Sequence, residues 1–389
     1  MVQQRSTVVE NRYFDSVFLM RVAKRISGEP GITEAAAVMA TPKNVQILAD
    51  AGYEGVGKLA ASSNDLIVSL KADTAAAASQ IVDGIGRFLE RENTASGGAS
   101  IRSLKQAAEL KPGANLAVIS VPGEFAAHEA RQALEAGLNV FLFSDNITLQ
   151  DEIELKQLGQ SKGLLVMGPD CGTSIIGGAG IGFANIVERG PIGVIGASGT
   201  GIQEVTTLIS KAGSGISHAI GVGSHDLSDA VGGITSLQAL KLLGEDKNTE
   251  IVVFISKPPG QETQKKLMEA IRDFQKPVVT CFLGASLDPA NERMTTNLDD
   301  ATAAALALIG APGLPVQASE ASVIALEKAG KSTTQKYVRG LFAGGTFCYQ
   351  AQQVMLAHGL PINSNAPLSG SSPLTDSGRS TGNSLVDMG

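Results

Sequence analysis

The chain has 389 residues and a formal net charge of −7, and 43% of its residues are hydrophobic but only 4% are aromatic. A chain of this length is too long to fold around one ordinary hydrophobic core, so several domains are expected. The acidic balance argues against nucleic-acid binding, and neither a membrane span nor a secretory signal is visible in the sequence. The three cysteines are far apart and read as reduced thiols, so the sequence predicts a cytoplasmic α/β protein.

The first 95 residues alternate between strand and helix patterns. Strands are predicted at 7–10, 32–39 and 65–70, and helices at 15–27, 41–51 and 74–89. Pro42 is expected at the first position of the second helix, where proline is favoured. The alternation predicts a small α/β module, with a ferredoxin-like fold as one candidate, and a polar, glycine-rich joint at 92–100 follows it.

The segment 100–189 is predicted to be an α/β layer whose strands end in polar turns. Helices are predicted at 101–110, 126–136 and 149–161, and strands at 115–121, 140–143 and 164–167. This spacing gives a parallel sheet, and ligands bind beyond the carboxyl ends of parallel strands. The turns therefore predict one ligand-binding edge, made of Val121, Pro122, Ser144, Asp145, Asn146, Asp170, Cys171, Gly172 and Thr173.

A second parallel unit begins at Gly190 and carries a glycine-rich loop. The apolar run 192–195 leads into Ser198-Gly199-Thr200-Gly201, and an amphipathic helix follows. Free backbone N–H groups and a positive helix end attract anions, so this loop predicts a phosphate or carboxylate site. The alternative is a tight turn in which the glycines only adopt backbone conformations that other residues avoid. The glycines at 178–182 lack a strand-to-helix context and indicate a hairpin instead.

The rest of this unit continues the alternation, and a further segment follows a break at 311–315. Strands are predicted at 192–196, 216–222, 250–256 and 277–283, and helices at 200–212, 235–244, 260–274 and 298–309. A glycine-rich stretch at 340–348 precedes another helix, and the strand-like piece at 384–389 has no evident partner strand.

Several strings in this order resemble known proteins. Gly168-Pro-Asp-Cys-Gly, Gly196-Ala-Ser-Gly-Thr and Ile220-Gly-Val-Gly resemble the α subunit of succinyl-CoA synthetase and related ADP-forming acyl-CoA synthetases over residues 115–310. Within that superfamily the chain resembles the FdrA family nearly end to end. The strings that carry this resemblance include Tyr13-Phe-Asp-Ser-Val, Met39-Ala-Thr-Pro, Leu142-Phe-Ser-Asp-Asn and Ile255-Ser-Lys-Pro-Pro.

The resemblance implies four parts. They are the N-terminal module at 1–95, a Rossmann-like CoA-binding-type domain at 100–189, a flavodoxin-like succinyl-CoA-synthetase ligase domain at 190–315, and the start of a further, incomplete domain at 336–389. In the synthetases the loop that corresponds to Ser198–Gly201 supports a phosphohistidine. CoA would lie along the nine edge residues named above.

Two departures from the synthetases change the expected chemistry. Their phosphorylated histidine follows the last strand of the ligase domain, but residues 282–291 contain no histidine here. His128, His218 and His358 lie elsewhere, and His225, at a strand end, is either a ligand contact or a plain turn residue. Lys257 stands where the synthetases place a glutamate. An ammonium group suits an anion that is held directly, although a solvated lysine beside two prolines is the alternative.

These features predict an FdrA-type protein that transfers an acyl or carbamoyl group between phosphate and a small acceptor without a phosphohistidine. The family resemblance implies carbamoyl transfer in ureide or purine catabolism, with separate partner subunits. Lys257 is the catalytic candidate, CoA is the candidate cofactor, and the sequence shows no metal or nucleotide motif. An ADP-forming acyl-CoA synthetase subunit and a non-catalytic CoA- or anion-binding scaffold remain alternatives, and homo-oligomerisation stays open.

Overall fold

The structure is a computed structural model that describes residues 3–12, 14, 16–90, 101, 103–285, 287, 291–314, 320–332 and 334–388. The predicted joint at 92–100 lies outside these residues, as do Tyr13 and positions 286 and 288–290. The chain divides into two compact units, Met1–Ser100 and Ile101–Gly389. The division into four parts stays a prediction.

The first unit is a three-stranded antiparallel sheet with helices on both faces. Its elements are β1 (Gln3–Val9), α1 (Ser16–Ser27), β2 (Ile32–Met39), α2 (Pro42–Asp50), β3 (Leu66–Ala72), α3 (Ala75–Asp83) and α4 (Ile85–Leu89). β3 lies between β1 and β2. Side chains alternate along β3, so Leu66, Val68 and Leu70 pack with α1, α3 and α4, whereas Ile67 packs on the α2 side. Thr41 caps α2, directly before Pro42, as predicted.

The second unit begins with a small parallel layer. Its elements are α5 (Leu104–Leu110), β4 (Leu116–Ile119), α6 (Gly123–Glu135), β5 (Asn139–Leu142), α7 (Leu149–Lys162) and β6 (Val166–Met167). The strands run parallel in the order β4-β5-β6, as the spacing predicts. Alanines of α6, such as Ala126 and Ala130, bring that helix close to the sheet. The carboxyl ends of β4 and β5 therefore open on the same edge.

A seven-stranded sheet forms the centre of the second unit. Its strands are β7 (Thr173–Ile176), β8 (Ala179–Gly182), β9 (Arg189–Gly196), β10 (Ile216–Gly221), β11 (Ile251–Ser256), β12 (Val278–Phe282) and β13 (Met294–Thr295). The order is β13-β12-β11-β9-β10-β7-β8, in which β9 to β13 run parallel and the β7–β8 hairpin is antiparallel. That hairpin confirms that the glycines at 178–182 do not form a nucleotide loop.

Helices cover both faces of this sheet. They are α8 (Gly199–Lys211), α9 (Ile234–Glu245), α10 (Gln261–Arg272) and α11 (Leu298–Leu308). Val194 of β9 packs with α8 and α11, whereas its neighbour Ile195 packs with α9 and α10. Burial on both faces explains the continuous apolar runs that made these strands predictable. Within the described ranges, no helix combines the length and the apolar character that crossing a bilayer requires.

The last part of the second unit is a four-stranded parallel sheet. After α12 (Glu320–Ala329) it comprises β14 (Arg339–Phe342), α13 (Gly345–Ala357), β15 (Asn363–Ser364), β16 (Ser372–Pro373) and β17 (Ser384–Asp387). The expectation that the strand-like piece after residue 384 lacks a partner is wrong. β17 lies between β14 and β15 and pairs in parallel with both, and its consecutive residues Ser384, Leu385 and Val386 are buried.

Candidate functional site

The glycine-rich loop after β9 begins α8 in the way the sequence predicts. Ser198 is the N-cap residue, and its Oγ accepts a hydrogen bond from the Gly201 amide at 3.0 Å. A Cβ atom at Gly201 would lie 3.1 Å from Ile255 Cγ2, so this glycine lets the helix approach β11 closely. The first N–H groups of a helix have no acceptor within it, and they give its N-terminus a positive potential.

A second helix begins at the same place. Thr346, in the first turn of α13, is hydrogen-bonded through Oγ1 to Ser198 Oγ at 2.5 Å. Gly344 precedes the helix with φ +112°, and a Cβ atom there would lie 2.8 Å from Thr200 Cγ2. The N-termini of α8 and α13 therefore meet, and their positive potentials add. No role was predicted from the sequence for residues 344–346, although these residues repeat the strand, glycine and helix layout of residues 196–202.

Lys257 lies beside this junction, at the end of β11. Its side chain is exposed, and its Nζ lies 5.9 Å from the centre of the Tyr349 ring in α13. A Cβ atom at Gly345 would lie 3.9 Å from that Nζ and 3.0 Å from Asp387 Oδ2. Burial raises the pKa of Tyr349, so its hydroxyl remains a hydrogen-bond donor at neutral pH. The junction thus combines two helix N-termini, hydroxyl groups and one ammonium group; Asp387 adds a carboxylate.

The predicted edge residues lie close together. Ser144 Oγ donates to the Val121 carbonyl at 2.6 Å, and Ser144 O accepts from the Asp170 amide at 3.0 Å. Pro122 is the N-cap residue of α6. A Cβ atom on the following residue, Gly123, would lie 2.2 Å from the Asp145 carbonyl and 2.6 Å from that of Asn146, so only glycine fits there. The three strand-end turns form one continuous edge.

The third turn of this edge also contacts the start of α8. A Cβ atom at Gly199 would lie 3.5 Å from the hydroxyl of Thr173 and 3.9 Å from Gly172 Cα. Thr173 is buried, and the Gly172 carbonyl accepts from the Phe183 amide at 2.8 Å. The predicted CoA edge and the predicted anion loop are therefore adjacent in the fold.

Cys171 lies inside this edge as a buried thiol. Its side chain is 3% exposed, and its Sγ lies 3.8 Å from both the Thr173 carbonyl and Ser174 Oγ. Burial raises the pKa of Cys171 to about 11, against smaller lowering effects from Ser174, Thr173 and Lys156. A thiol with this pKa stays protonated at neutral pH, which favours a packing role.

Cys171 is accordingly expected to resist alkylation in the folded protein. Iodoacetamide reacts with the thiolate, which is scarce below pH 11 at this residue, and the thiol is also shielded. Mass spectrometry after treatment at pH 8 should find Cys171 alkylated rapidly in urea and slowly in buffer. Fast labelling of the native protein at this position would contradict the packing role.

A fully buried ionic cluster lies behind the edge, between α7 and the turn after β10. Lys156 Nζ is 2.7 Å from Asp226 Oδ1, 2.8 Å from Glu152 Oε1 and 3.0 Å from the Val222 carbonyl, and all three charged side chains are buried. Asp226 also accepts from the Thr235 and Ser236 amides. The Glu152 oxygens have no partner with hydrogen-bond geometry, so its contact with Lys156 is ionic. The cluster joins α7 to the central sheet.

His225 lies on the solvent side of this cluster. Its Nδ1 is 3.4 Å from Glu152 Oε2, and its side chain is 63% exposed.

The loop after β12, where the resemblance would place a phosphohistidine, contacts α13. A Cβ atom at Gly284 would overlap the Gln353 side chain. His128 is on the surface of α6, and His358 follows the end of α13.

Two family profiles match parts of the chain. The profile described as AllF, heavy metal-associated domain, matches residues 1–107, and the CoA binding domain profile matches residues 187–284. The second match covers the segment that we expected to be ligase-like, and it includes Ser198–Gly201 and Lys257.

The residues of the N-terminal module do not fit a soft metal ion. Thiolate and imidazole groups are common ligands of transition metals, and residues 1–107 contain no cysteine and no histidine. Across the described residues, no group of three His, Cys, Asp or Glu side chains could hold a metal ion.

The chain is similar to α subunits of a ligase over about half of its length. It is 31% identical over 180 residues to the ADP-forming succinate–CoA ligase subunit alpha 2 of Archaeoglobus fulgidus, covering 45% of this chain and 61% of that protein. It is 29% identical over 201 residues to a Staphylococcus epidermidis subunit alpha, covering 51% and 65%. The matches span less than two thirds of either ligase subunit.

Among solved structures, the ATP citrate lyase from Methanothrix soehngenii in complex with citrate and coenzyme A has a TM-score of 0.42 at 15% identity, covering 60% of this chain and 46% of that one. The uncharacterized protein YahF of Escherichia coli K12 is 40% identical over 386 residues, covering 97% of this chain and 75% of that protein. This similarity runs through both compact units, and the chain belongs to the YahF family.

Proposed function

We propose that this chain is an acyl-CoA-ligase-like enzyme subunit that binds the phosphate group of an acyl or carbamoyl phosphate where α8 and α13 begin. The observation that carries the proposal is the meeting of two helix N-termini beside Lys257. The FdrA resemblance adds the finer expectation, which is transfer of a carbamoyl group to a small acceptor.

The charges at the junction favour a phosphate group. Each helix N-terminus is equivalent to about half a positive charge, and the Lys257 ammonium adds a full one. Phosphate oxygens would accept hydrogen bonds from the first-turn amides and from the hydroxyls of Ser198 and Thr346, which would exchange their mutual hydrogen bond for bonds to the ligand. The Asp387 carboxylate offsets part of this positive charge.

The proposed transfer needs no phosphorylated side chain. The nucleophilic atom of the acceptor forms a bond to the carbonyl carbon, and the bond between that carbon and the bridging oxygen breaks. The phosphate departs with the electron pair, and the proton of the acceptor passes to phosphate or solvent. Lys257 and the helix N-termini would stabilise the charge that grows on the leaving phosphate. The lack of a histidine after β12 is consistent with this direct route.

The proposed phosphate site is best tested by calorimetric titration with carbamoyl phosphate, acetyl phosphate and inorganic phosphate. Wild type should bind at least one of the acyl phosphates, and Lys257→Ala should weaken binding about 10- to 100-fold, since a hydrogen bond to a charged group contributes about 1.5–3 kcal/mol. Lys241→Ala is the matched control, because Lys241 is exposed on α9 at 77%. No heat with wild type, or equal affinities of wild type and Lys257→Ala, would overturn this role of Lys257.

The similarity to CoA ligases and the CoA binding domain profile favour a second candidate, an ADP-forming acyl-CoA ligase subunit. The resemblance to the synthetases would then place CoA along the edge formed by the three strand-end turns, which lies before the profile match at 187–284. Titration with CoA tests this candidate: loss of CoA binding in Asp145→Trp, at an exposed position of that edge, would support it. Turnover of the isolated chain, compared with turnover in the presence of partner subunits, separates an enzyme from a non-catalytic scaffold.

A further inference from the structure

A cavity of about 320 Å³ lies at the opposite end of the strands from the proposed phosphate site. Asn115, Asn139 and Leu165 line it where β4, β5 and β6 begin, and the end of α9 closes the other side. The cavity therefore lies between the β4–β6 layer and the central sheet, within the second unit. It is separate from the edge formed by the strand-end turns, because those turns follow the carboxyl ends of the same strands.

The walls of the cavity are mostly apolar. Met167 and Ile220 come from the two sheets, and Leu243 comes from α9. The side-chain amide of Asn139 is partly engaged within the wall, since its Nδ2 donates to the Asn115 carbonyl and its Oδ1 accepts from the Leu165 amide. A small molecule that lacks an extended apolar part would leave these walls in contact with water.

One corner of the cavity is polar, and it places a donor next to an acceptor. His218 Nδ1 accepts a hydrogen bond from the Gly177 amide at 3.1 Å, so the proton of the neutral imidazole is on Nε2. That Nε2 lies 3.6 Å from Asp246 Oδ2, which is too long for a hydrogen bond. The imidazole N–H and the carboxylate thus stand side by side without satisfying each other.

The protonation states of this pair are fixed at neutral pH. Burial lowers the pKa of His218, and nearby Arg189 lowers it further against the opposing effect of Asp246, so the imidazole is neutral. Burial alone would raise the pKa of Asp246, but hydrogen bonds from Thr249 and Asn248 together with His218 leave it lowered, so the carboxylate is ionised. The corner therefore presents one N–H donor and one anionic acceptor.

We propose that this cavity binds a small uncharged molecule in which a primary amide is attached to an apolar ring or chain. The amide carbonyl would accept from His218 Nε2–H, and the amide NH₂ would donate to Asp246. A carboxylate of the same shape would be repelled by Asp246, and an amidinium would offer no acceptor to His218. The apolar part would fill the space between the two sheets and stabilise their packing.

Benzamide is the probe that matches this chemistry, and benzoate and benzamidine are its matched controls. NMR titration of the full chain should show saturable binding of benzamide, with affinities at least tenfold weaker for both controls. The melting temperature should rise with benzamide alone. Equal binding of benzamide and benzoate, or no binding of benzamide, would overturn the proposal.

Two variants and one matched control locate the site. Leu242→Trp, at the mouth of the cavity, should weaken benzamide binding at least tenfold, whereas Leu308→Trp on α11 should not; these leucines are 42% and 41% exposed, so both variants should fold. Asp246→Asn removes the repulsion and should make benzoate bind at least as well as benzamide. An unchanged preference in Asp246→Asn, or equal losses in both tryptophan variants, would contradict the assignment. This test is independent of the proposed phosphate site.

Discussion

Gly344→Val is expected to abolish phosphate binding at the start of α8 and α13. Gly344 has φ +112°, a conformation that side chains rarely adopt, and its Cβ would lie 2.8 Å from Thr200 Cγ2. A branched side chain must therefore push the two helix N-termini apart. Calorimetry with the acyl phosphate that wild type binds should show no detectable heat, and thermal unfolding should show a loss of about 1–3 kcal/mol from backbone strain.

Gly359→Val separates this effect from strain in general. Gly359 follows the other end of α13 with φ +70°, and a Cβ there would meet nothing within 4 Å. The control should lose a similar amount of stability because its backbone is also left-handed, but its phosphate affinity should equal that of wild type. If both variants lose binding equally, or if Gly344→Val still binds, the junction of α8 and α13 is not the phosphate site.

Lys156→Met is expected to destabilise the second unit by about 3–5 kcal/mol, the usual cost of leaving a buried charge without its partner. Lys156 is the cation between two carboxylates that are fully buried, and Glu152 has no hydrogen bond to compensate for the loss. Asp226 would keep the amide hydrogen bonds from Thr235 and Ser236. Urea unfolding, followed by circular dichroism, measures the difference.

Lys162→Met is the matched control, because Lys162 is exposed in the last turn of the same helix. That variant should differ from wild type by less than about 0.5 kcal/mol. Adding Glu152→Gln to Lys156→Met should recover part of the lost stability, since it neutralises the carboxylate that the first change leaves unpaired. An equal effect of the two lysine variants would show that the ionic cluster does not stabilise α7 against the central sheet.

The central sheet and its helices could be predicted from the sequence because their patterns are local. β9, β11 and β12 are buried on both faces and appear as continuous apolar runs, and the Ser198 cap follows from residue types within one turn. The common edge of the three strand-end turns was also predictable, since parallel strands bring their carboxyl ends to one side. Ser144, next to both Val121 and Asp170, confirms that arrangement.

The contacts between distant segments could not be predicted in this way. Ser198 and Thr346 are separated by 148 positions, and no local pattern says that the helices they begin will meet. Likewise, Glu152 and Lys156 have the spacing of a solvated ion pair on a helix surface, and only the packing of α7 on the turn at Asp226 buries them. The partners of β17 could not be predicted either, because β14, β15 and β17 are short strands that lie far apart in the sequence.

The most direct test of the central claim is a crystal structure of the full chain soaked with carbamoyl phosphate or acetyl phosphate. If the two helix N-termini bind phosphate, density should appear between the first turns of α8 and α13, with oxygens within hydrogen-bond distance of the amides of Gly199 and Gly345 and of Lys257 Nζ. Density for the ligand at another place, with the Ser198–Thr346 hydrogen bond intact, would contradict the claim.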